Sequence, residues 1–209
     1  MFGDGALSLQ EYVMRDPLPL ATIHDAILEF LRDRDDVALF GAQAVNAYVD
    51  EPRMTQDVDI LCARAGHFAE ELRAHLAEKF RIATRVRTIG GGKGFRVYQV
   101  REKGNRHLAD VRQVAVLPPT RVFGGVRVPV PEDLIAQKII SFALRAAQPK
   151  GDTDRRDLKV LLLAHPALKT DTGPVRERLL ANGATPAAMR AWAEFVALRI
   201  EQPAEDDEF

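Results

Sequence analysis

Two carboxylates separated by one residue, Asp57-Val58-Asp59, are the sharpest chemical feature of the chain. If 57–61 is a strand, side chains alternate between its faces, so Asp57 and Asp59 stand side by side while Val58 faces the core. Adjacent carboxylates repel unless something positive neutralises them. A hard divalent cation with oxygen ligands, Mg²⁺ or Mn²⁺, is the natural partner. Two solvent-facing acids on an edge strand are the plainer alternative. Upstream, Phe40-Gly41-Ala42 reads as a strand–Gly–helix junction. Such a junction offers free backbone N–H groups and a positive helix end to an anion, although turn geometry alone would also account for Gly41. A phosphate-binding turn followed by a metal-binding carboxylate pair is what phosphoryl or nucleotidyl transfer requires.

Hydrophobic periodicity supplies the elements that must position these residues. Residues 18–33 carry Leu20, Ile23, Ile27, Phe30 and Leu31 at helical spacing. Residues 37–40 form a short buried strand that ends at Gly41, and 42–49 a helix. After a turn at 50–52 come the 57–61 strand and a helix over 66–78, with Phe68, Leu72 and Leu76 on one stripe. The middle is β-rich: 80–88 and 95–101 flank the Gly-rich segment 90–94, 106–116 is a further strand, and 121–129 a short hairpin. Helices follow at about 131–147, 154–164, 173–182 and 186–200. The organisation is an α/β core over 1–130, a C-terminal helical part over 131–200 and an acidic, disordered tail over 201–209.

Composition bounds the partners. The 209 residues are 46% hydrophobic and 28% charged, with a formal net charge of −1, ordinary values for a globular protein. Between Lys79 and Arg112 stand ten basic and two acidic residues, a local charge of about +8. Alternation over 81–87 puts Arg81, Arg85 and Arg87 on one face. Such a segment attracts polyanions by counterion release; a solvated β-surface is the bland reading. Residues 201–209 hold five acids and no base. No stretch approaches the roughly 20 apolar residues that a membrane helix needs, and the start lacks a basic region followed by an apolar core. The lone Cys62 excludes an internal disulfide and a Cys-rich metal site, which favours a reducing, cytoplasmic compartment.

Several other motifs lead nowhere. The Gly-rich 90–94 segment lacks the spacing of a Walker A loop and the Ser or Thr after Lys93, so it is expected to be a mobile hairpin tip. The five histidines show no zinc spacing. Trp192 and Phe195 are expected in the core.

Residues 39–48 (LFGAQAVNAY) followed by 53–61 (RMTQDVDIL) resemble the nucleotidyltransferase superfamily, whose pattern is a Gly-Gly or Gly-Ser turn, a helix, then Arg-x-Thr-x-Asp-x-Asp. The resemblance is nearest to the minimal nucleotidyltransferases of the abortive-infection, AbiEii/AbiGii-like toxin group. In that group a Lys and an Arg on one helix precede an Asp-x-x-Asp at the start of the next, as Lys138, Arg145, Asp154 and Asp157 do here. The turn departs from the pattern at Ala42, which leaves backbone N–H groups but no hydroxyl for a phosphate.

The resemblance implies an α+β nucleotidyltransferase-like fold, with a short mixed sheet flanked by helices and a C-terminal helical part. It implies transfer of an NMP from an NTP to an acceptor hydroxyl with Mg²⁺ or Mn²⁺ held by Asp57, Asp59 and Asp110, the third carboxylate on a neighbouring strand. Gly41, Ala42, Lys138 and Arg145 would serve the nucleotide; Arg53 and Thr55 would orient the carboxylate strand or contact substrate. On its own helix Lys138 aligns with Leu134, Ser141 and Arg145 at the margin of the apolar side, where it either reaches water or meets a triphosphate. Asp154 and Asp157 read as supporting carboxylates, or as acids favoured in a helix's first turn. The implied role is a toxin-like growth inhibitor with RNA or tRNA as acceptor, bound through 79–112, and a cognate antitoxin as partner. A small-molecule (antibiotic) nucleotidyltransferase and a non-catalytic nucleotide- or partner-binding protein of the same fold are the alternatives.

Overall fold

The computed structural model describes residues 18–201. Its elements run α1 (Leu20–Leu31), β1 (Val37–Phe40), α2 (Gly41–Asn46), β2 (Val58–Cys62), α3 (Ala65–Phe80), β3 (Thr84–Ile89), β4 (Gly94–Gln99), β5 (Arg106–Gln113), β6 (Thr120–Phe123), β7 (Val126–Pro129), α4 (Pro131–Arg145), α5 (Pro149–Ala164), α6 (Pro174–Ala181) and α7 (Pro186–Ala197). Five strands form one mixed sheet in the order β1-β2-β5-β4-β3. Only β2 and β5 run parallel; the other neighbours are antiparallel. The parallel pair needs a long crossover, and α3 with the β3–β4 hairpin provides it. The fold is thus α+β, as expected. From residue 202 onward the acidic tail lies outside the described residues, as do residues 1–17.

The sheet has two unlike faces. Val58, Ile60, Val97, Ala109 and Val111 are fully buried. They point to one side, where α3 packs across the strands with Phe68, Leu72 and Leu76. Directly paired residues share a face. Register therefore lays a single row across the other face: Phe40, Asp59, Asp110, Arg96 and Arg87. Helix α4 stands over the β2–β5 part of that face, and a cavity of about 430 Å³ between them is lined by Leu61, Arg112, Ile140 and Ser141 among others.

Two expectations change. Arg81 does not belong to the basic strand stripe. It closes α3 in the left-handed conformation, φ 52°, because the helix runs two residues beyond the expected end. The stripe is Arg85 and Arg87, extended across the ladder by Arg96. Helix α5 begins at Pro149 rather than 154. Its Pro at the first position is a favourable start, so Asp154 and Asp157 fall in the helix body and are not first-turn acids.

Helices α4 and α5 are joined by a tight turn, and Gly151 is what permits it. A Cβ there would lie 2.4 Å from the Arg145 carbonyl oxygen and 2.9 Å from Ala146 Cα. In an open helix Gly→Ala gains about 1 kcal/mol. Here the clash is with backbone and outweighs that gain. Gly151→Ala is expected to lose about 1–3 kcal/mol in urea denaturation. A variant more stable than wild type would mean that the turn opens freely.

Candidate active site

The Asp59 carboxylate rests against Gly41. A Cβ at residue 41 would lie 2.0 Å from Asp59 Oδ2, and Gly41 has φ +64°. Glycine is required there for both space and conformation. Helix α2 is only six residues long, so the turn offers an anion its backbone N–H groups more than any macrodipole. Burial raises the Asp59 pKa first, and the Asp57 and Asp110 charges raise it further; Arg112 and Lys138 pull the other way.

Asp57 sits just before β2 rather than in it. Thr55 Oγ1 donates to its carbonyl at 3.0 Å and to Oδ1 at 3.4 Å. The loop is pinned from α2, where the Asn46 side chain donates to the Arg53 carbonyl and accepts from the Arg53 N–H. Asp110 is paired with Asp59 across the parallel strands, so the third carboxylate does stand beside the pair. Arg96 donates to both its oxygens at 2.9 and 2.8 Å. Burial would raise the Asp110 pKa, but the Arg96 and His107 hydrogen bonds outweigh it and hold the carboxyl well below its usual range.

Sequence reading passed over His107. Its ring bridges the carboxylates, with Nδ1 3.0 Å from Asp57 Oδ2 and Nε2 2.9 Å from Asp110 Oδ1. Strict alternation from Asp110 would point His107 toward α3. A β-bulge reverses this: Val97 pairs with Ala109, but Tyr98 pairs with His107. Leu108 is the extra residue, and Leu108 and Ala109 are both buried. A bulge re-aims the side chains beyond it. Asp57, His107 and Asp110 form the group of three donors, all within 4.8 Å of one another, found among the described residues. Asp59 lies outside that group. Such a donor set fits a divalent ion, and a cation there would relieve the repulsion that Asp59 experiences.

A second charged cluster lies behind the first. Lys138 is 6% exposed, with Asp154 at 1% and Asp157 at 0%. Lys138 Nζ is 2.6 Å from Asp157 Oδ2 and 3.5 Å from Asp154 Oδ1. Arg53 reaches both Asp157 oxygens at 2.8 and 3.0 Å. Arg145 reaches both Asp154 oxygens at 2.6 and 2.9 Å. Arg156 adds a longer contact to Asp157 at 3.7 Å, and Arg53, Lys138 and Arg145 join the β2 loop, α4 and α5 through the two buried carboxylates. Burial raises the Asp157 pKa, but Arg53 and Lys138 more than offset it, and the net shift is downward.

The Gly-rich turn is part of the site. A cavity of about 620 Å³ on the open sheet face is lined by Phe40, Asp59, Asp110, Arg112, Ile89 and residues 90 and 92–94. The Arg112 guanidinium stands 5.0 Å from the centroid of the Phe40 ring.

The chain is similar in structure to the polyadenylate synthase of Megavirus, with a TM-score of 0.58 and 16% identity over 73% of this chain. The chain spans a third of that protein, 33% of its length. A nucleotidyltransferase-like antigenic protein of Paracoccidioides brasiliensis aligns at TM-score 0.48 and 21% identity over 88% of this chain and 94% of its own. ANT(2")-Ia, solved with adenylyl-2"-tobramycin, aligns at 0.47 and 18% over 79% and 97%. No family model matches the chain, and no curated protein matches its sequence. The fold is a nucleotidyltransferase fold.

The buried cluster carries two expectations. Removing one partner of a buried ion pair costs about 3–5 kcal/mol, so Lys138→Ala is expected to lose that much stability in urea. A loss within 0.5 kcal/mol would return Lys138 to the surface margin. The pH dependence follows from Asp157. Its folded pKa lies below the ordinary 3.8, so the unfolded chain takes up the proton first. The stability that Asp157 provides is therefore complete above about pH 5 and lost as pH falls through and below about 4. Asp157→Asn should be less stable at neutral pH and lose less on acidification. Parallel acid limbs would refute this.

Proposed function

We propose that this chain is a metal-dependent nucleotidyltransferase that moves an NMP from an NTP to an acceptor hydroxyl. The observation that carries the reading is the pairing of Asp59 with Asp110 on parallel strands, with Asp57 beside them, on the one sheet face left open by α3. Asp57, Asp59 and Asp110 would hold the divalent ion. When bound, that ion would neutralise charge on the phosphates and polarise the attacked one. The turn at Gly41 and Ala42 presents backbone N–H groups toward the phosphates. Thr55 keeps Asp57 in place. Lys138, Arg145 and Arg53, held by Asp154 and Asp157, supply the positive wall that the triphosphate meets. Lys138 is near enough for its charge to act on Asp59.

RNA is the acceptor class that the charge favours, with tRNA one candidate. Beyond Asp110 the row across the sheet turns basic, through Arg96 to Arg87, with exposed Arg85 one turn of the alternation away. A polycationic antibiotic would need an acidic surface here. The resemblance to the AbiEii-like group extends the reading to a toxin-like growth inhibitor in the cytoplasm, restrained by an antitoxin. A non-catalytic binder of the same fold is favoured by one observation: Arg96 and His107 already occupy both oxygens of Asp110.

Two measurements test this. Purified protein incubated with each labelled NTP, Mg²⁺ or Mn²⁺, and total RNA should transfer label to RNA. Asp59→Asn should abolish metal-dependent NTP binding while gaining about 1 kcal/mol of stability, since it removes a buried charge that its neighbours repel. Equal NTP affinity with EDTA and with metal would favour the non-catalytic reading. Separately, RNA affinity should fall steeply with salt. Arg85→Gln with Arg87→Gln should flatten the log–log slope by about one to two, at roughly 0.7–0.9 per phosphate contact, and leave NTP binding intact. A flat response to salt in wild type would remove RNA as the acceptor.

A further inference from the structure

We propose that His107 is itself a metal ligand, and that the resulting mixed oxygen–nitrogen donor set makes this site prefer Mn²⁺ to Mg²⁺. The proposal rests on the reading above only for the presence of a divalent ion. The sheet does something specific to bring His107 here. Leu108 is added to β5 opposite β4, the register shifts between Val97 and Tyr98, and the imidazole turns from the α3 side to the carboxylate side. Without the bulge, Leu108 would take that place. The ring then lies between Asp57 and Asp110, at 3.0 and 2.9 Å. The contacts use different ring nitrogens, so an ion takes one of them; beside either, a carboxylate oxygen already stands at the separation of neighbouring donors around a six-coordinate ion with bonds of about 2.1–2.2 Å. One donor atom from each of the three residues falls within 4.8 Å of the others, so a small contraction around an ion completes the set.

The surroundings also suit a liganding imidazole. A metal-bound histidine usually gives its other ring nitrogen to a carboxylate, which fixes the ring. Here both nitrogens have carboxylate partners, so whichever binds the ion leaves the other anchored. Arg96 donates to both oxygens of Asp110, sharing Oδ1 with His107, as an outer partner of a liganding carboxylate does. The three side chains are 21–28% exposed, open enough for an ion to enter. Mg²⁺ takes oxygen ligands and parts reluctantly with water. Mn²⁺ stands above it in affinity for a site that includes imidazole.

The test uses the intact protein and the metals alone. Mn²⁺ binding is followed by electron paramagnetic resonance, and its first shell by the nitrogen modulation of the pulsed signal; Mg²⁺ is measured by competition. Wild type is expected to bind Mn²⁺ at least tenfold more tightly than Mg²⁺ and to show directly bound ¹⁴N. His107→Gln should lose the nitrogen signal and at least tenfold in Mn²⁺ affinity. His107→Asp should lose the nitrogen signal and recover Mg²⁺ binding. Bound Mn²⁺ without nitrogen modulation in wild type overturns the proposal whether or not either variant folds. So does a folded His107→Gln protein with unchanged Mn²⁺ affinity. Nitrogen modulation in a protein that transfers no label keeps His107 as a ligand and removes the enzyme reading. Label transfer with no nitrogen at the metal does the reverse.

Discussion

Three carboxylates are brought close together on one face of a sheet, and most of the local architecture answers that repulsion. Asp59 is the residue under strain, buried against Gly41 and raised in pKa by burial and by its acidic neighbours. Like charges in a region of low dielectric are held only where the surrounding structure over-determines them. The parallel pairing of β2 with β5 sets Asp59 against Asp110. Because Gly41 has no side chain, the Asp59 carboxylate fits. Arg96 and His107 take up the charge of Asp110, and Arg112 and Lys138 act on Asp59 from a distance. A protein selected for stability alone would place an apolar residue at 59.

The second cluster does mechanical work for the first. Arg53 belongs to the loop that carries Thr55 and Asp57, yet it pairs with Asp157 on α5. Lys138 and Arg145 belong to α4, yet both reach α5. The cluster therefore ties the loop before β2 to the helices that wall the cleft. Such buried networks are weak sources of net stability, because desolvation offsets much of the Coulomb attraction. They do specify one arrangement strongly, since any partner moved away leaves a buried charge behind. Gly151 serves the same end sterically by letting the end of α4 approach α5.

The local parts of this design are legible in the sequence, and the nonlocal parts are not. The Asp-Val-Asp spacing, the Gly41 junction and the two helix motifs can be read because each depends on residues a few positions apart. Element types follow from apolar periodicity for the same reason. The bulge at Leu108 cannot be read this way: alternation assumes an unbroken pleat, and one inserted residue inverts every side chain before it. His107 was therefore invisible as a site residue, although it stands three positions from Asp110. Arg96 needed strand register to be placed opposite Asp110. Asp154 and Asp157 looked like helix-start acids because Pro149 and Gly151 resemble a turn more than a first helical turn. Met54 and Leu144, 95% and 75% exposed, flank the cleft elements without a contact that assigns them a role.

The order of the row Phe40, Asp59, Asp110, Arg96, Arg87 has a consequence for direction. It runs from an apolar edge, through two acids, to two bases. A polyanion is repelled at the acids and attracted at the bases, so it is steered to the β3–β4 side. A triphosphate without a cation would be turned away by the same acids, and the cationic cluster of Arg53, Lys138 and Arg145 lies on the opposite side, toward α4 and α5. On the reading proposed above, the carboxylates would keep the two anionic substrates apart and be the place where they meet. Arg96 sits at the boundary, paired with Asp110 and directly opposite Arg87. A phosphate drawn to Arg87 would compete for the Arg96 guanidinium, and loosening the Arg96–Asp110 pair would free a carboxylate at the centre of the proposed site.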